Sequence, residues 1–300
     1  MDAARRYVEL QGRKLNQEEL DNSIACLNDH VNSIRDFSVL FKVCDLTNLD
    51  ISKLITHHVI NMSHMFNSCF FLSSAFDLSF LNTISVTNMS GMFQRMRCHS
   101  LDLSEFDTSS VYHMSYMFSS LTLNHSHVID ISSFKTSSAT NMSGMFYDLK
   151  IQELIFSLNF TSSNVHNMNR MFAYCDIGNL DVSNFDTSKE EVMLQMFNGA
   201  TLTNIELRNF SFAMCTDMRQ ALSFRTIRRC VLFVYKDDTF PKVMRSFCSD
   251  RFVDRFEFPE KYITAFDFFQ YIYTLKILAV SPINHYLRRT STIQNLIIEE

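Results

Sequence analysis

Asn88-Met89-Ser90-Gly91-Met92-Phe93 decides the fold, because near-copies of this stretch recur along most of the chain. Its phenylalanine column runs Phe41, Phe66, Phe93, Phe118, Phe146, Phe172 and Phe197, in steps of 25, 27, 25, 28, 26 and 25. Ahead of each later Phe stand Met62/Met65, Met89/Met92, Met114/Met117, Met142/Met145, Met168/Met171 and Met193/Met196. A fixed period of roughly 20–30 residues is the mark of stacked repeats. Side chains at i, i+3 and i+4 share one face of a helix, so Met-x-x-Met-Phe predicts a short helix in every repeat, with its three apolar groups turned into a core. Continuing the step of 25 reaches Leu222, Phe247, Ile272 and Ile297, where the motif decays while the apolar phase persists.

Between these motifs lies a second half, Leu-x-x-Leu-x-Leu: Leu46-Leu49-Ile51, Cys98-Leu101-Leu103, Ile151-Leu154-Phe156, Ile177-Leu180-Val182 and Leu202-Ile205-Leu207. Its alternation predicts a short strand with one buried face. A Phe follows (Phe80, Phe106, Phe134, Phe160, Phe185, Phe210), then a Ser/Thr-rich turn such as Asp107-Thr108-Ser109-Ser110, whose hydroxyls are suited to cap the next helix. One strand and one helix in about 25 residues cannot bury their apolar faces alone, whereas stacked coils can. The expected fold is an α/β repeat solenoid of the leucine-rich-repeat kind, with a parallel sheet on one side.

Residues 1–30 read as an N-terminal helical cap, with Leu15, Leu20, Ile24 and Leu27 in phase and Asn16 as N-cap. Residues 31–223 hold the regular repeats. Residues 224–300 read either as degenerate repeats with a C-terminal cap or as a separate small domain, richer in Phe, Tyr and basic residues.

The two half-motifs together resemble the BspA-like bacterial surface-protein repeats, a divergent leucine-rich-repeat type with units of the form L-D-L-S-x-F-D-T-S-x-V-x-x-M-x-x-M-F. Leu101 through Phe118 matches a whole unit, and Leu180 through Phe197 does so with one extra residue. The resemblance covers about residues 36–222 and implies a recognition solenoid, of the kind used in adhesion or host contact. Members are typically exported. Here the N-terminus shows neither a signal sequence nor an anchor, and the Gly-Cys pair that follows Met-Phe in the family is reduced to Cys69 and Cys175, with Cys44 in the same phase.

The chain is 46% hydrophobic and 20% charged, enough to bury a long core. A net charge of −5 argues against a nucleic-acid partner, which needs clustered Lys and Arg. No apolar run of about 18 residues or more offers a membrane span. Eight cysteines without a C-x-x-C pair read as buried free thiols.

Six carboxylates, Asp50, Asp77, Asp102, Asp130, Asp181 and Glu206, stand between the two inward positions of successive strands, interrupted only by Ile155. Alternation turns them outward, and strands lie about 4.8 Å apart, so they form an acidic column. Either a basic partner neutralises the column, or each Asp belongs to the repeat and bonds local backbone and hydroxyl groups. The Met stripe reads as core packing before soft-metal binding. Cys98, His99, His125 and His127 fall one coil apart as the best metal candidate, although Cys98 is expected to face inward; no metal or cofactor is assigned. His57-His58 reads as a solvated pair. Asn-x-Ser/Thr at Asn61, Asn88, Asn124, Asn141, Asn159 and Asn209 is formally a glycan acceptor, but three of these are the repeat's own Asn-Met-Ser. No phosphate loop, nucleophile elbow or H-E-x-x-H helix is present, so catalysis is not expected. The leading expectation is a non-catalytic scaffold that binds a protein partner, a basic one on the charge argument, on its open acidic sheet face. The alternatives are an exported or delivered adhesin acting on host proteins, and an enzyme or toxin activity within residues 224–300.

Overall fold

A computed structural model describes Gly12 and residues 14–72, 77–125, 127–189, 192–207, 210–211, 213–232 and 256–257. Within these residues the chain winds as a parallel β-solenoid. Helix α1, Gln17–Asp29, comes first; Asn16 caps it, accepting the Glu19 N–H at 2.9 Å while the Glu19 carboxylate takes the Asn16 N–H. Strands β1 (Phe70–Phe71), β2 (Arg97–Cys98) and β3 (Thr122–Leu123) form a short parallel sheet. Strands β4 (Val128–Ile131), β5 (Lys150–Phe156), β6 (Asp176–Leu180), β7 (Thr201–Leu207), β8 (Thr226–Leu232) and β9 (Phe256–Glu257) form a longer one, in chain order and all parallel. Ile151, Ile177, Leu202 and Ile227 stand opposite one another in register. The expected continuation of the motif at Phe247, Ile272 and Ile297 lies outside the described residues.

The Met-x-x-Met-Phe segments are not helices. Each is a run of three tight turns. In one coil Met65, Asn67 and Cys69 donate their N–H groups back to the carbonyls of Met62, His64 and Phe66. The N–H groups between them, on Met62, His64, Phe66 and Ser68, donate instead to Asn88, Ser90, Met92 and Gln94 of the next coil. Alternation of this kind needs a reversal of backbone twist within each outer turn, and the third position of a type II turn supplies it with φ above zero. His64 and Ser68, Gly91 and Arg95, Tyr116 and Ser120, Gly144 and Asp148, Arg170 and Tyr174, and Gln195 and Gly199 all have φ between 52° and 70°. A left-handed residue ends an α-helix. The helix per coil expected from the i, i+3, i+4 spacing is therefore replaced by a ladder of turns that presents the same three side chains inward.

The core follows from that ladder. All twelve methionines of the column are at most 1% exposed. Phe41, Phe66, Phe93, Phe118, Phe146, Phe172 and Phe197 stack face over face, with centroids 5.3–5.9 Å apart and planes within 16°. Phe106, Phe134, Phe185 and Phe210 of the second column close against this stack at 6.1–6.4 Å. Two glycines show why the outer corner of the ladder is constrained. A Cβ on Gly91 would lie 2.3 Å from the His64 ring, and one on Gly144 would lie 2.3 Å from the Tyr116 ring. Each ring of one coil thus rests on the glycine of the next.

The Ser/Thr turns cap no helix. Thr56, Thr83, Thr108, Thr136 and Thr187 are buried, and each hydroxyl pairs with both backbone groups of one residue in the next coil. Thr108 Oγ1 donates to the Lys135 carbonyl at 3.0 Å and accepts the Lys135 N–H at 2.8 Å. Thr83 does the same with Asp107, and Thr136 with Thr161. The hydroxyl stands in for a peptide group at this corner of the coil.

Replacing Thr108 by Val keeps the shape and removes both bonds. We expect a loss of roughly 1–3 kcal/mol in chemical denaturation, with Thr108→Ser retaining most of the stability. Equal stability of the Val variant and the parent would show that the hydroxyl column contributes nothing.

Candidate functional site

The acidic column is built by the turn that follows each short strand. Asp50, Asp77, Asp102, Asp130 and Asp181 are exposed, and each accepts, through Oδ1, the N–H of the serine two residues on: Ser52, Ser79, Ser104, Ser132 and Ser183, at 2.8–3.0 Å. This is an Asx turn, which Asp and Asn favour because the side chain copies a backbone acceptor. The local role foreseen for these residues is therefore present. Of the six residues only Asp130 and Glu206 lie within strands, β4 and β7; Asp181 follows β6 directly, and Asp50, Asp77 and Asp102 sit in loops. Ile155, which interrupts the column in sequence, stands opposite Asp130 in the β4–β5 register. Glu206 is half-buried and paired in register with Val231.

At Asp50, Asp77 and Asp102 the same turns favour the charged carboxylate. The backbone and hydroxyl of Ser79 and Ser104 hold Asp77 and Asp102 below the usual carboxylate range, and Ser52, assisted by Lys53, does so for Asp50. Asp77 acts on Asp102 in the opposite direction. Asp50 and Asp77 also share a shallow groove of about 270 Å³ floored by Leu49, Ile51 and Phe71.

Two further columns use the same device. Asp107 and Asp186 accept from Ser109 and Ser188, and both lie below the usual carboxylate range through that serine. Asn61, Asn88, Asn141 and Asn167 accept the N–H two residues on and form single parallel bridges from coil to coil. The recurring Asn-Met-Ser is thus a turn former whose side-chain oxygen is already engaged.

The other candidates separate cleanly. His99 and His125 stack with centroids 3.9 Å apart and planes 23° from parallel, while Cys98 is buried. A metal ligand binds along the plane of its imidazole, so two nearly parallel rings cannot converge on one ion. No group of three or more His, Cys, Asp or Glu among the described residues could hold a metal. His57 and His58 pack on each other at the surface, with centroids at 4.0 Å. Burial pushes the Cys98 thiol up to about 12 and raises those of Cys69 and Cys175, so these groups remain protonated near neutral pH. Cys230 and Cys248 fall outside the residues whose side chains are described. A second, wider groove of about 660 Å³ runs along the corner beside Tyr147, Tyr174, Asp176 and Arg225, and no motif in the sequence marks it. No helix among the described residues is long and apolar enough to cross a membrane.

The repeat pattern agrees with one family model, described as a Mycoplasma protein of unknown function, DUF285, which matches residues 16–128, 71–156 and 123–226. The chain belongs to this family. The three overlapping matches run from α1 to the start of β8, and each spans several coils of the solenoid. No curated protein and no solved structure matches the chain.

The pH dependence of stability follows from the Asx turns. Asp77 and Asp102 bind protons less readily when folded, so as the pH falls through the ordinary value of 3.8 the unfolded chain takes up protons first and stability is lost; above that value it is fully present. Asp102→Asn keeps an Oδ1 acceptor for Ser104 and should leave the neutral-pH melting temperature almost unchanged while shallowing the acid limb. Asp102→Ala should lower the melting temperature at neutral pH. Identical acid limbs for the parent and the Asn variant would contradict this role.

Proposed function

We propose that this protein is a non-catalytic recognition scaffold whose exposed acidic column binds a basic protein partner. The supporting observation is that Asp50, Asp77 and Asp102 are exposed, recur once per coil and are held charged by their own turns. Carboxylates fixed in this way need no side-chain ordering when a cation arrives, which lowers the entropic cost of each contact. The unfavourable influence of Asp77 on Asp102 is relieved by a partner of opposite charge. The likeness of Leu101–Phe118 to the BspA-like surface repeats supports a narrower form of the reading, in which an exported or delivered chain uses this leucine-rich-repeat-like face for adhesion to host proteins.

The test compares two double variants of equal net charge. Asp102→Asn with Asp181→Asn removes two members of the column, while Asp107→Asn with Asp186→Asn removes two carboxylates from the neighbouring turns. All four Asn side chains preserve the Asx acceptor. Titration with a fluorescent oligolysine peptide should show several-fold weaker binding and a flatter salt dependence for the first pair, and little change for the second. Equal effects from the two pairs would reduce the interaction to net charge and sink the reading.

A further inference from the structure

The wider groove, of about 660 Å³, lies where the turn ladder passes into the first residues of β5, β6, β7 and β8. The acidic column is at the other end of these strands, where Asp181 follows β6 and Glu206 stands one residue from the end of β7. One wall of the groove is aromatic. Tyr174 lies over Gly199 of the next coil, where a Cβ would come 2.6 Å from its ring, and Asn198 Nδ2 donates to its hydroxyl at 3.3 Å. Tyr147 of the preceding coil meets it edge to face, with centroids 5.5 Å apart and planes at 72°. The Tyr174 ring is thus held by both neighbouring coils and is still 47% exposed. The other wall is polar. Lys150, Asp176 and Thr201 stand in register at the strand starts, and Arg225 precedes Thr226, the register partner of Thr201. Lys150 pairs with Asp148 at 3.5 Å.

The groove's own chemistry narrows what it can hold. Its backbone N–H groups are engaged between coils: Asp148 with Ala173, Tyr174 with Asn198, Gly199 with Ser223, Asp176 with Leu149, Thr201 with Cys175 and Arg225 with Ala200. A peptide that binds by adding a strand needs such groups free. Nucleic acid needs an excess of cations, whereas Lys150 and Arg225 are matched by Asp148 and Asp176. What the groove offers is a fixed aromatic ring, whose face carries partial negative charge, beside side chains that donate and others that accept. A sugar ring answers both: the C–H bonds of one face are weakly positive, and the hydroxyls at its rim each donate and accept. Because the lining groups follow one another from coil to coil, a chain of sugars fits along the solenoid axis.

We propose that this groove binds a linear chain of neutral sugars, stacked on Tyr174 and hydrogen-bonded by Asp176 and Arg225. The site is separate from the acidic column and independent of it.

The full chain is titrated calorimetrically with linear oligosaccharides of glucose, xylose, mannose and N-acetylglucosamine, and with oligogalacturonate as the anionic comparison. At least one neutral oligosaccharide should bind, with an affinity that hardly changes between low and high salt. Tyr174→Ala should weaken that binding roughly tenfold, and Tyr174→Phe, which keeps the ring, should retain it. Oligolysine binding at the acidic column should be the same in Tyr174→Ala and the parent. A second variant, Asp176→Asn with Arg225→Gln, changes only exposed side chains and should weaken sugar binding several-fold at an unchanged melting temperature. Binding of none of the neutral oligosaccharides, or of oligogalacturonate alone with a steep salt dependence, would overturn the proposal. So would an undiminished affinity in Tyr174→Ala or, should that variant not fold, in the double variant.

Discussion

Every second N–H in the Met-Phe segment must find its carbonyl in the neighbouring coil, and the rest of the structure depends on that requirement. A helix would turn its backbone pairing along its own axis and offer the neighbouring coil no regular backbone bonds. The ladder sends half of its N–H groups across, as Met62, His64, Phe66 and Ser68 do to the next coil. The cost is a left-handed residue twice per coil, carried even by Tyr116 and Arg170. The return is that backbone bonds set the spacing between coils, so every side chain stands in a column over its counterpart. The stacked Phe rings, the buried Thr hydroxyls and the outer Asp turns are three consequences of that single repeat distance.

The period, the inward set and the strand positions of the later coils were legible in the sequence. Met and Phe recur at fixed intervals because they share one core, and Ile151, Ile177 and Leu202 recur because their strands pair in register. The helix was misread because i, i+3, i+4 spacing reports only which side chains point the same way. A run of turns closing every two residues meets that condition as well as a helix does. The contrary signal lay between the apolar positions, where Ser90-Gly91 and Ser143-Gly144 are poor helix formers, and glycine is the residue that a positive φ favours. The buried hydroxyl column escaped notice for a related reason: Thr108 and Thr136 look like caps when a helix is expected to follow them.

The acidic column shows that the structural and recognition readings of one residue need not compete. Asp102 is in the repeat because its Oδ1 closes a turn, and the same bond keeps the group ionised with its remaining oxygen available at the surface. Ile155, which interrupts the column, has no carboxylate to close such a turn, yet β5 ends in register with β4, Phe156 opposite Ile131. Outward columns of this type are what a solenoid adds to simple packing: a surface in which charge is ordered along the axis while the interior stays apolar.

The most direct test of the account is the backbone conformation of one Met-Phe segment in solution, measured by NMR on Met114 through Ser120. The turn ladder predicts the strong intraresidue amide-to-Hα contacts of positive φ at Tyr116 and Ser120, with the Phe118 amide protected by its bond to the Met145 carbonyl of the next coil. An unbroken series of helical i to i+3 contacts from Met114 to Ser120, with negative φ throughout, would contradict it.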